Sequence, residues 1–218
     1  MTKAILIPIK EPARVKTRLA NLLTLAERQQ LVWAMFEDVC EAVAQTTGAD
    51  RIFIVTSFAK AAARARSLGF EVLGEERQES ESASIDWASQ ILRDRGFDAA
   101  LRLPADIPLV EAADIDALLA VELTKPMVLM VPSFEETGTN AILRAPPNLF
   151  PSRFGTGSLA LHQAEAARID AQCLIVKNER IALDIDEPHD IKMFLAKGKA
   201  TKSLRLLEAM QIAKRFIE

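Results

Sequence analysis

The fold is decided by the stretch AILIPI at residues 4–9, an apolar run without a single charge. Such a run is typical of a strand that is covered on both faces, as central strands of parallel sheets are. Outward from it, the chain alternates short apolar runs with amphipathic segments. The predicted strands lie at residues 4–9, 51–56, 70–73, 99–103, 127–131, 141–143, 173–176 and 181–183. The predicted helices lie at residues 24–46, 60–68, 82–95, 114–121, 158–168, 188–195 and 203–216.

This alternation of strands and helices predicts an α/β fold. We expect a single-domain, Rossmann-like, mostly parallel sheet with helices on both faces and a more irregular second half. The sequence TLAE at residues 24–27 has the spacing of a capping box and marks the start of the longest helix. No composition shift marks a boundary, so one domain over residues 1–218 is expected, with a C-terminal helix at about 203–216.

Composition excludes several classes of protein. The 27 basic and 30 acidic residues leave a formal charge of −3, which does not fit a nucleic-acid-binding surface. Half of the residues are hydrophobic, which excludes a disordered chain, and no apolar run is long enough to cross a membrane. The two cysteines, Cys40 and Cys173, are too few for a disulfide framework or a cysteine-based zinc site. We therefore expect a soluble, cytoplasmic protein without nucleic-acid or membrane partners.

A basic loop follows the first predicted strand. It carries Lys10, Arg14, Lys16 and Arg18, four cations within nine positions. In an open α/β sheet ligands bind at the carboxyl ends of the strands, so these cations suit a polyanion such as a nucleoside triphosphate. An ordinary solvated, charged loop is the alternative. The glycine-rich phosphate-binding motifs of ATPases and dehydrogenases are both missing from the sequence.

Three aspartates are candidate metal ligands. Asp106 follows the fourth predicted strand in the sequence PADIP, and Asp184 and Asp186 stand two positions apart near the C-terminus. In extended chain, residues two apart share a face, and a hard cation such as Mg²⁺ relieves the repulsion between neighbouring carboxylates. The alternatives are that Asp106 caps a turn or helix and that one of the pair caps the helix near residue 188.

Two loops of small residues are candidate anion sites. Thr139 and Asn140 precede a predicted strand, and the sequence FGTGS at residues 154–158 precedes a predicted helix with Ser158 as the expected N-cap. Open glycines and the backbone N–H groups of a helix N-terminus suit a phosphate, although ordinary turn and cap chemistry is the alternative for both loops. His162, one turn into that helix, is expected to pack or to support the site rather than to act as a base.

Together these features favour phosphoryl-type transfer. The chain offers cations, carboxylates and anion-binding loops, but no matched set of nucleophile and base. Such transfer depends on positioning and on charge neutralisation rather than on a nucleophilic side chain.

Five motifs in order resemble one known family. The chain is similar to the 2-phospho-L-lactate and phosphoenolpyruvate guanylyltransferases of coenzyme F420 biosynthesis, within the MobA-like nucleotidyltransferases of glycosyltransferase-A-like fold. The motifs span residues 8–190 and are PIK with ARVKTRL at residues 8–10 and 13–19, ADIP at 105–108, GTNA at 138–141, FG with GS and His162 at 154–162, and DIDEP with Asp190 at 184–190.

The resemblance implies a reaction and a role for each matching residue. The reaction joins GMP from GTP to the phosphate of 2-phospholactate, phosphoenolpyruvate or 3-phosphoglycerate and releases pyrophosphate. The implied catalytic residues are Lys10, Lys16 and Arg18, which would neutralise the triphosphate and the incoming phosphate. The implied Mg²⁺ ligands are Asp106, Asp184 and Asp186. The implied residues for the phosphorylated acid are Thr139, Asn140, Gly155, Gly157 and Ser158.

One position departs from the family pattern. Many members have a Leu-Asn pair where this chain has Ile85 and Asp86. A carboxylate at Asp86 could accept both N1–H and N2–H of guanine, so Asp86 is the expected base-reading residue.

Two rival functions remain open at this point. One is nucleotidyl transfer to another phosphorylated acceptor, such as a sugar or cofactor phosphate. The other is a non-catalytic nucleotide-binding protein on the same fold. A homodimer also stays open, because the helix at 203–216 could pack on its own domain or on a second copy.

Overall fold

A seven-stranded sheet runs through the protein in the computed structural model, which describes residues 1–12, 15–75, 79–122 and 126–216. The strand order is β3-β2-β1-β4-β6-β5-β7. The strands are β1 (Lys3–Pro8), β2 (Arg51–Thr56), β3 (Glu71–Gly74), β4 (Ala99–Arg102), β5 (Met127–Pro132), β6 (Thr139–Ala145) and β7 (Gln172–Ile175). The predicted α/β class with a mostly parallel sheet is confirmed.

Strand β1 lies in the middle of the first half of the sheet. It pairs in parallel with β2 on one side and with β4 on the other. Ile5 and Ile7 are fully buried in one hydrophobic core, while Ala4 and Leu6 belong to a second core on the opposite face. Burying one such isoleucine is worth about 1.5–3 kcal/mol relative to exposing it. The prediction that the apolar run at residues 4–9 forms a strand covered on both faces is therefore confirmed.

Strand β6 runs against its neighbours. It pairs antiparallel with both β4 and β5. Its first residues, Thr139 and Asn140, therefore lie at the same edge of the sheet as the carboxyl end of β4. Because of this reversal, the start of one strand and the ends of others can share one site.

The helices cover both faces of the sheet. Helix α1 begins after the predicted capping box: Thr24 Oγ1 accepts from the Glu27 backbone N–H at 3.3 Å, and Glu27 Oε2 accepts from the Thr24 N–H at 2.8 Å. The helices are α1 (Leu25–Ala44), α2 (Ala59–Ser67), α3 (Glu81–Asp94), α4 (Ala112–Leu119), α5 (Ser158–Arg168), α6 (Glu179–Ala182), α7 (Pro188–Lys197) and α8 (Lys202–Ala209), with 3-10 turns at Thr17–Leu19 and Ile212–Phe216. Within the described ranges, no helix has the length and apolarity needed to cross a membrane.

Two predicted elements are wrong. Residues 181–183 were expected as a strand, but the chain there forms the short helix α6, because the Asn178 side chain accepts from the backbone N–H groups of Arg180 and Ile181. The expected helix at 203–216 ends at Ala209 as α8, and the chain turns at Gln211 with φ 53° before the last 3-10 turn.

Helix α8 packs on its own chain. The carboxylate of Asp38 on α1 accepts from the backbone N–H groups of Lys202 and Ser203 at 2.7 and 2.9 Å, and from the Ser203 hydroxyl at 2.6 Å. Asp38 thus binds the first turn of α8, where the helix dipole favours negative charge.

Candidate active site

A cleft of about 550 Å³ lies at the carboxyl edge of β4 and the amino end of β6. We call it the acidic cleft, because the carboxylates that line it outnumber its two arginines; they are Glu81, Asp106, Glu135, Asp184, Asp186, Glu187 and Asp190. The predicted site residues that line it are Arg18, Asp106, Thr139, Asn140, Gly155, Gly157, Ser158, Asp184 and Asp186.

The three candidate metal ligands meet in this cleft. Asp106, Asp184 and Asp186 each offer a carboxylate oxygen, and these oxygens all lie within 4.8 Å of one another. Asp106 stands just beyond β4, and the pair stands between α6 and α7. The backbone joins the two segments directly, since the Ile185 N–H donates to the Asp106 carbonyl at 3.2 Å. A backbone hydrogen bond thus holds together the two segments that carry the three aspartates, whose proximity the sequence only suggested.

Lys16 lies against two of these carboxylates. Its Nζ is 2.6 Å from Asp106 Oδ2 and also contacts Asp186 Oδ1, and its side chain is only 10% exposed. Burial alone would lower the pKa of Lys16, but Asp106 and Asp186 more than offset this and raise the pKa above its usual value. Burial would likewise raise the pKa of Asp106, yet the Lys16 ammonium keeps it below the usual value. Lys16 is therefore a permanent cation.

The backbone of Lys16 adopts an unusual conformation to reach this position. It has φ 47° and ψ 48°, in the left-handed region, directly before the 3-10 turn Thr17–Leu19. For a residue with a Cβ this conformation costs of order 1–3 kcal/mol and persists only where surrounding contacts hold it. The two ion pairs supply such contacts.

Asp184 carries the least compensated charge of the three. Burial and the neighbouring Asp106 raise its pKa to about 6, although the Asn140 side chain donates to Asp184 Oδ1 at 2.9 Å. A half-buried carboxylate beside two others is costly unless a cation neutralises it, and carboxylate oxygens are the donors that hard divalent cations prefer. The residues present therefore fit such a cation.

The glycine loop, residues 154–158, forms the opposite wall of the cleft. The expected N-cap at Ser158 is wrong: Gly157 is the N-cap of α5, with φ 70°, and Ser158 is the first helical residue. The left-handed φ explains the glycine, since a side chain is disfavoured there. Because Ser158 does not cap the helix, its hydroxyl is available to the cleft that it lines.

Thr139 and Asn140 have different partners. The Asn140 side-chain nitrogen shares its two hydrogens among the carbonyls of Ile181 and Ala182, at 3.0 and 2.9 Å, and Asp184 Oδ1, so it holds β6 against the carboxylate segment. The Thr139 hydroxyl lies 3.1 Å from His162 Nδ1 on α5. Asn140 thus positions a candidate metal ligand, while Thr139 remains a candidate ligand-binding residue.

The other predicted cations differ in their relation to the cleft. Arg18 lines the cleft and donates to Glu187 Oε1 at 3.0 Å, with both side chains largely exposed. Lys10 is exposed two residues beyond β1 and is not among the described residues that line the cleft. Arg14 of the basic loop lies outside the described residues.

Asp86 lies on α3, and its partly exposed carboxylate is hydrogen-bonded within the chain. Its two carboxylate oxygens accept from the Ser152 backbone N–H at 2.9 and 3.1 Å, and Arg144 Nη1 is 3.6 Å from Oδ1. It is not among the described residues lining the acidic cleft. Its role in base reading stays a prediction, and its contacts add a second role, since they hold the segment leading into the glycine loop.

Comparison with protein families identifies the chain. The family model described as guanylyl transferase CofC-like matches residues 3–218. The chain belongs to this family. The resemblance inferred from the five motifs is therefore confirmed.

Relatives of this CofC-like chain differ in the acid that their names state. It is 33% identical over 194 residues to a phosphoenolpyruvate guanylyltransferase of Rubrobacter xylanophilus, covering 88% of this chain and 93% of the relative. It is 32% identical over 208 residues to a 3-phospho-D-glycerate guanylyltransferase of Colwellia psychrerythraea, covering 95% and 98%. It is 27% identical over 211 residues to a 2-phospho-L-lactate guanylyltransferase of Methanothermobacter thermautotrophicus, covering 97% and 92%.

Solved structures confirm the nucleotidyltransferase fold. A protein from Desulfovibrio desulfuricans G20, assigned to the nucleotide-diphospho-sugar transferases, superposes with a TM-score of 0.80 at 19% identity and covers 99% of both chains. At 19% identity, this likeness shows that the two proteins share a fold and shows no more than that.

Sequence reasoning missed Arg102, the last residue of β4. Its guanidinium is buried, donates to the Asn140 carbonyl at 2.9 Å, pairs with Glu81 and lies 4.4 Å from the centre of the Phe154 ring. It therefore connects α3, β6 and the glycine loop across the floor of the cleft. The signal was present in the sequence AALRL at residues 99–103, where one cation interrupts a buried strand.

Proposed function

We propose that this CofC-like chain transfers GMP from GTP to the phosphate of a phosphorylated C3 acid and releases pyrophosphate. The observation that carries the proposal is the acidic cleft, which is lined both by three clustered carboxylates and by the glycine loop with the N-terminus of α5. With a divalent cation bound to the carboxylates, such a cleft would hold two anionic substrates side by side. Membership of a guanylyl transferase family supports the same reaction.

The acceptor is proposed from the class that the relatives share. Phosphoenolpyruvate, 3-phosphoglycerate and 2-phospholactate all carry a carboxylate and a phosphate on a three-carbon skeleton. The names of the three relatives cover all three acids. We therefore propose this class and expect the acceptor to be one of its members.

Mg²⁺ is proposed as the cofactor, with Asp106, Asp184 and Asp186 as its ligands. The raised pKa of Asp184, caused by burial and by Asp106, supports a cation at this point. When bound, the ion would offset the negative charge of the triphosphate and of the leaving pyrophosphate. The ligand set consists of oxygens only, which suits Mg²⁺ better than a transition metal.

Positively charged side chains of the protein would neutralise further negative charge on the two substrates. In the reaction an oxygen of the acceptor phosphate forms a bond to the α-phosphorus of GTP, and the bond from that phosphorus to the β-phosphate breaks. The electron pair leaves with pyrophosphate. Lys16, held between Asp106 and Asp186, would fix the geometry of the carboxylates, and Arg18 and Lys10 would add positive charge. Preorganised charge of this kind is commonly the largest single contribution to catalysis.

No general base is needed for this transfer. A phosphate monoester carries about −1.5 to −2 charges at pH 7, so the attacking oxygen is already an anion. The side chains at the acceptor end therefore have to bind and orient it. We propose Ser158, Thr139 and the N-terminus of α5 for this role, because they line the cleft.

The experiment that tests the function is pyrophosphate release with each nucleoside triphosphate in turn and each of the three acids. The proposal predicts release that requires both GTP and one acid. Release without an acid, or binding of GTP without turnover for any acid, would contradict it.

Ser158→Ala is expected to raise the KM for the phosphorylated acid by roughly 10-fold or more, because a hydrogen bond to a charged group is worth about 1.5–3 kcal/mol. The KM for GTP is expected to change less than twofold. Steady-state kinetics with each substrate varied separately gives both values. A selective effect on the KM for GTP would place GTP rather than the acid at the glycine loop.

Asp86→Ala separates the two roles of Asp86. Loss of its bonds to the Ser152 N–H is expected to loosen the entry to the glycine loop and to raise the KM for the acid severalfold. Because the Asp86 carboxylate is bonded to Ser152 and is not among the described residues lining the cleft, we expect preference for GTP over ATP to stay, contrary to the base-reading role predicted from the sequence. If instead the preference for GTP is lost while the KM for the acid is unchanged, Asp86 reads the base, as the sequence predicts.

A further inference from the structure

His162 is fully buried on α5, behind the acidic cleft, and both of its ring nitrogens have partners. Its Nε2 accepts from the backbone N–H of Arg153 at 2.8 Å. Its Nδ1 lies 3.1 Å from the hydroxyl oxygen of Thr139. The ring thus joins the segment before the glycine loop to the first residue of β6.

The first of these bonds decides where the proton of the ring lies. A backbone N–H can only donate, so Nε2 must accept and carries no proton. A neutral imidazole has one protonated nitrogen, which is therefore Nδ1. It follows that Nδ1–H donates to Thr139 Oγ1 and that the Thr139 hydroxyl is the acceptor in this pair.

The ring is held in its neutral form by its surroundings. Burial, followed by the charges of Arg144 and Arg102, lowers the pKa of His162 to about 4. Arg153 acts in the same direction, and Glu165 opposes them. The rings of Phe150 and Phe154 pack around the imidazole with centroids 6.1 and 5.1 Å away. This tautomer therefore persists across the neutral pH range.

The position of the His162 proton determines where the hydroxyl proton of Thr139 can point. The Thr139 oxygen already accepts a hydrogen bond from His162. The hydroxyl proton of Thr139 is therefore left to donate to another acceptor. Within residues 1–12, 15–75, 79–122 and 126–216, no group is hydrogen-bonded to that proton. Thr139 lines the acidic cleft, so a ligand oxygen in the cleft can take it.

We propose that His162 is a positioning residue that makes Thr139 a hydrogen-bond donor toward an anionic oxygen of the phosphorylated acid. The inference rests on the proposed function for the identity of the ligand. A phosphate or carboxylate oxygen only accepts hydrogen bonds, so a hydroxyl with this fixed polarity favours an anion over a neutral hydroxyl group. His162 thereby contributes to acceptor binding without touching the acceptor.

The tautomer can be measured without any turnover. The chain has only two histidines, so a long-range ¹H–¹⁵N spectrum of protein labelled at histidine resolves both rings. We expect His162 to show a neutral ring protonated at Nδ1 from pH 5.5 to 8, while the exposed His189 serves as the reference. A ring protonated at Nε2, or an imidazolium in this range, would overturn the inference even if the proposed function holds.

A double-mutant cycle tests the link to Thr139. His162→Gln keeps an acceptor close to the Nε2 position for the Arg153 N–H but has no donor at the Nδ1 position. It is expected to raise the KM for the acid about 10-fold, with the KM for GTP within twofold. Thr139→Val is expected to raise it at least as much. In the Thr139→Val background, His162→Gln should add less than twofold, since its effect passes through the hydroxyl.

A merely structural role for His162 gives another pattern. In that case His162→Gln would raise the KM for the acid by the same factor in both backgrounds, which would overturn the inference. His189→Gln is the matched control, because it changes an exposed histidine outside the cleft. If His162→Gln does not fold, the tautomer spectrum of the wild-type protein still decides the question. If wild-type protein shows no turnover with any acid, the proposed function fails, and the spectrum reports separately on the His162–Thr139 pair.

Discussion

Asp184→Asn is expected to lower turnover by roughly a thousandfold or more while leaving the protein folded. Removing one of three clustered carboxylates weakens the cation site, and a loss of about 4 kcal/mol of transition-state stabilisation corresponds to this factor. Asparagine still offers an oxygen to the Asn140 amide, so the local packing is retained. Asp186→Asn is expected to have a similar effect on turnover. Steady-state rates and circular dichroism measure the two parts of this prediction.

In the absence of divalent cations, Asp184→Asn is expected to raise the free energy of unfolding, although it lowers turnover. Burial and Asp106 raise the pKa of Asp184 to about 6 from an ordinary 3.8. The stability associated with its protonated form is therefore complete below pH 4 and is lost as the pH rises through 6. At pH 7.5 the asparagine variant should have a free energy of unfolding higher by on the order of 1–3 kcal/mol.

Added Mg²⁺ should reverse that order, because the ion binds the folded wild-type protein and stabilises it. Asp94→Asn, on the exposed face of α3, is the matched control and should change neither activity nor the response to Mg²⁺. Near-normal turnover of Asp184→Asn would remove Asp184 from the metal site.

Lys16→Met is expected to lower turnover by roughly a hundredfold or more and, at the same time, to strengthen Mg²⁺ binding. The ammonium of Lys16 contacts two of the three carboxylates, so its removal leaves their charge to the ion. Breaking a buried ion pair on one side costs about 3–5 kcal/mol, and the half-exposed Asp186 places this pair at the low end. The melting temperature without divalent cations should therefore fall by several degrees and recover more with Mg²⁺ than that of the wild type.

Because turnover should fall while Mg²⁺ binding strengthens, Lys16→Met tests directly whether the three carboxylates bind the cation. Methionine keeps the length of the side chain, so packing changes little. Lys177→Met is the control, since Lys177 forms an exposed ion pair with Glu136. If Lys16→Met binds Mg²⁺ more weakly than the wild type, the three carboxylates do not form the cation site.

The sequence predicts well wherever one physical effect dominates a short segment. The apolar run at residues 4–9 predicted a strand covered on both faces, and the capping box at Thr24 predicted the start of α1; both are confirmed. The spacing of Asp184 and Asp186 placed both carboxylates on one face, which agrees with their positions in the cleft.

The sequence fails where a distant contact decides the local structure. Residues 181–183 read as a strand, but three apolar positions cannot distinguish a strand from a turn of helix. Asn178 and Asp114 decide the matter: Asn178 caps α6, and Asp114 accepts from the side chains of Asn178 and Arg180. The antiparallel direction of β6 and the burial of Lys16 between Asp106 and Asp186 likewise depend on pairings across much of the chain.

The most direct test of the central claim is the identity of the product. Protein incubated with GTP, Mg²⁺ and each acid separately would be followed by ³¹P NMR, which distinguishes a new phosphoanhydride from the starting phosphate monoester. The account predicts, for one of the three acids, a pair of coupled phosphoanhydride resonances that grows together with pyrophosphate and is absent with Asp184→Asn. Pyrophosphate that accumulates while the acid stays a monoester, or no change with any of the three acids, would contradict it.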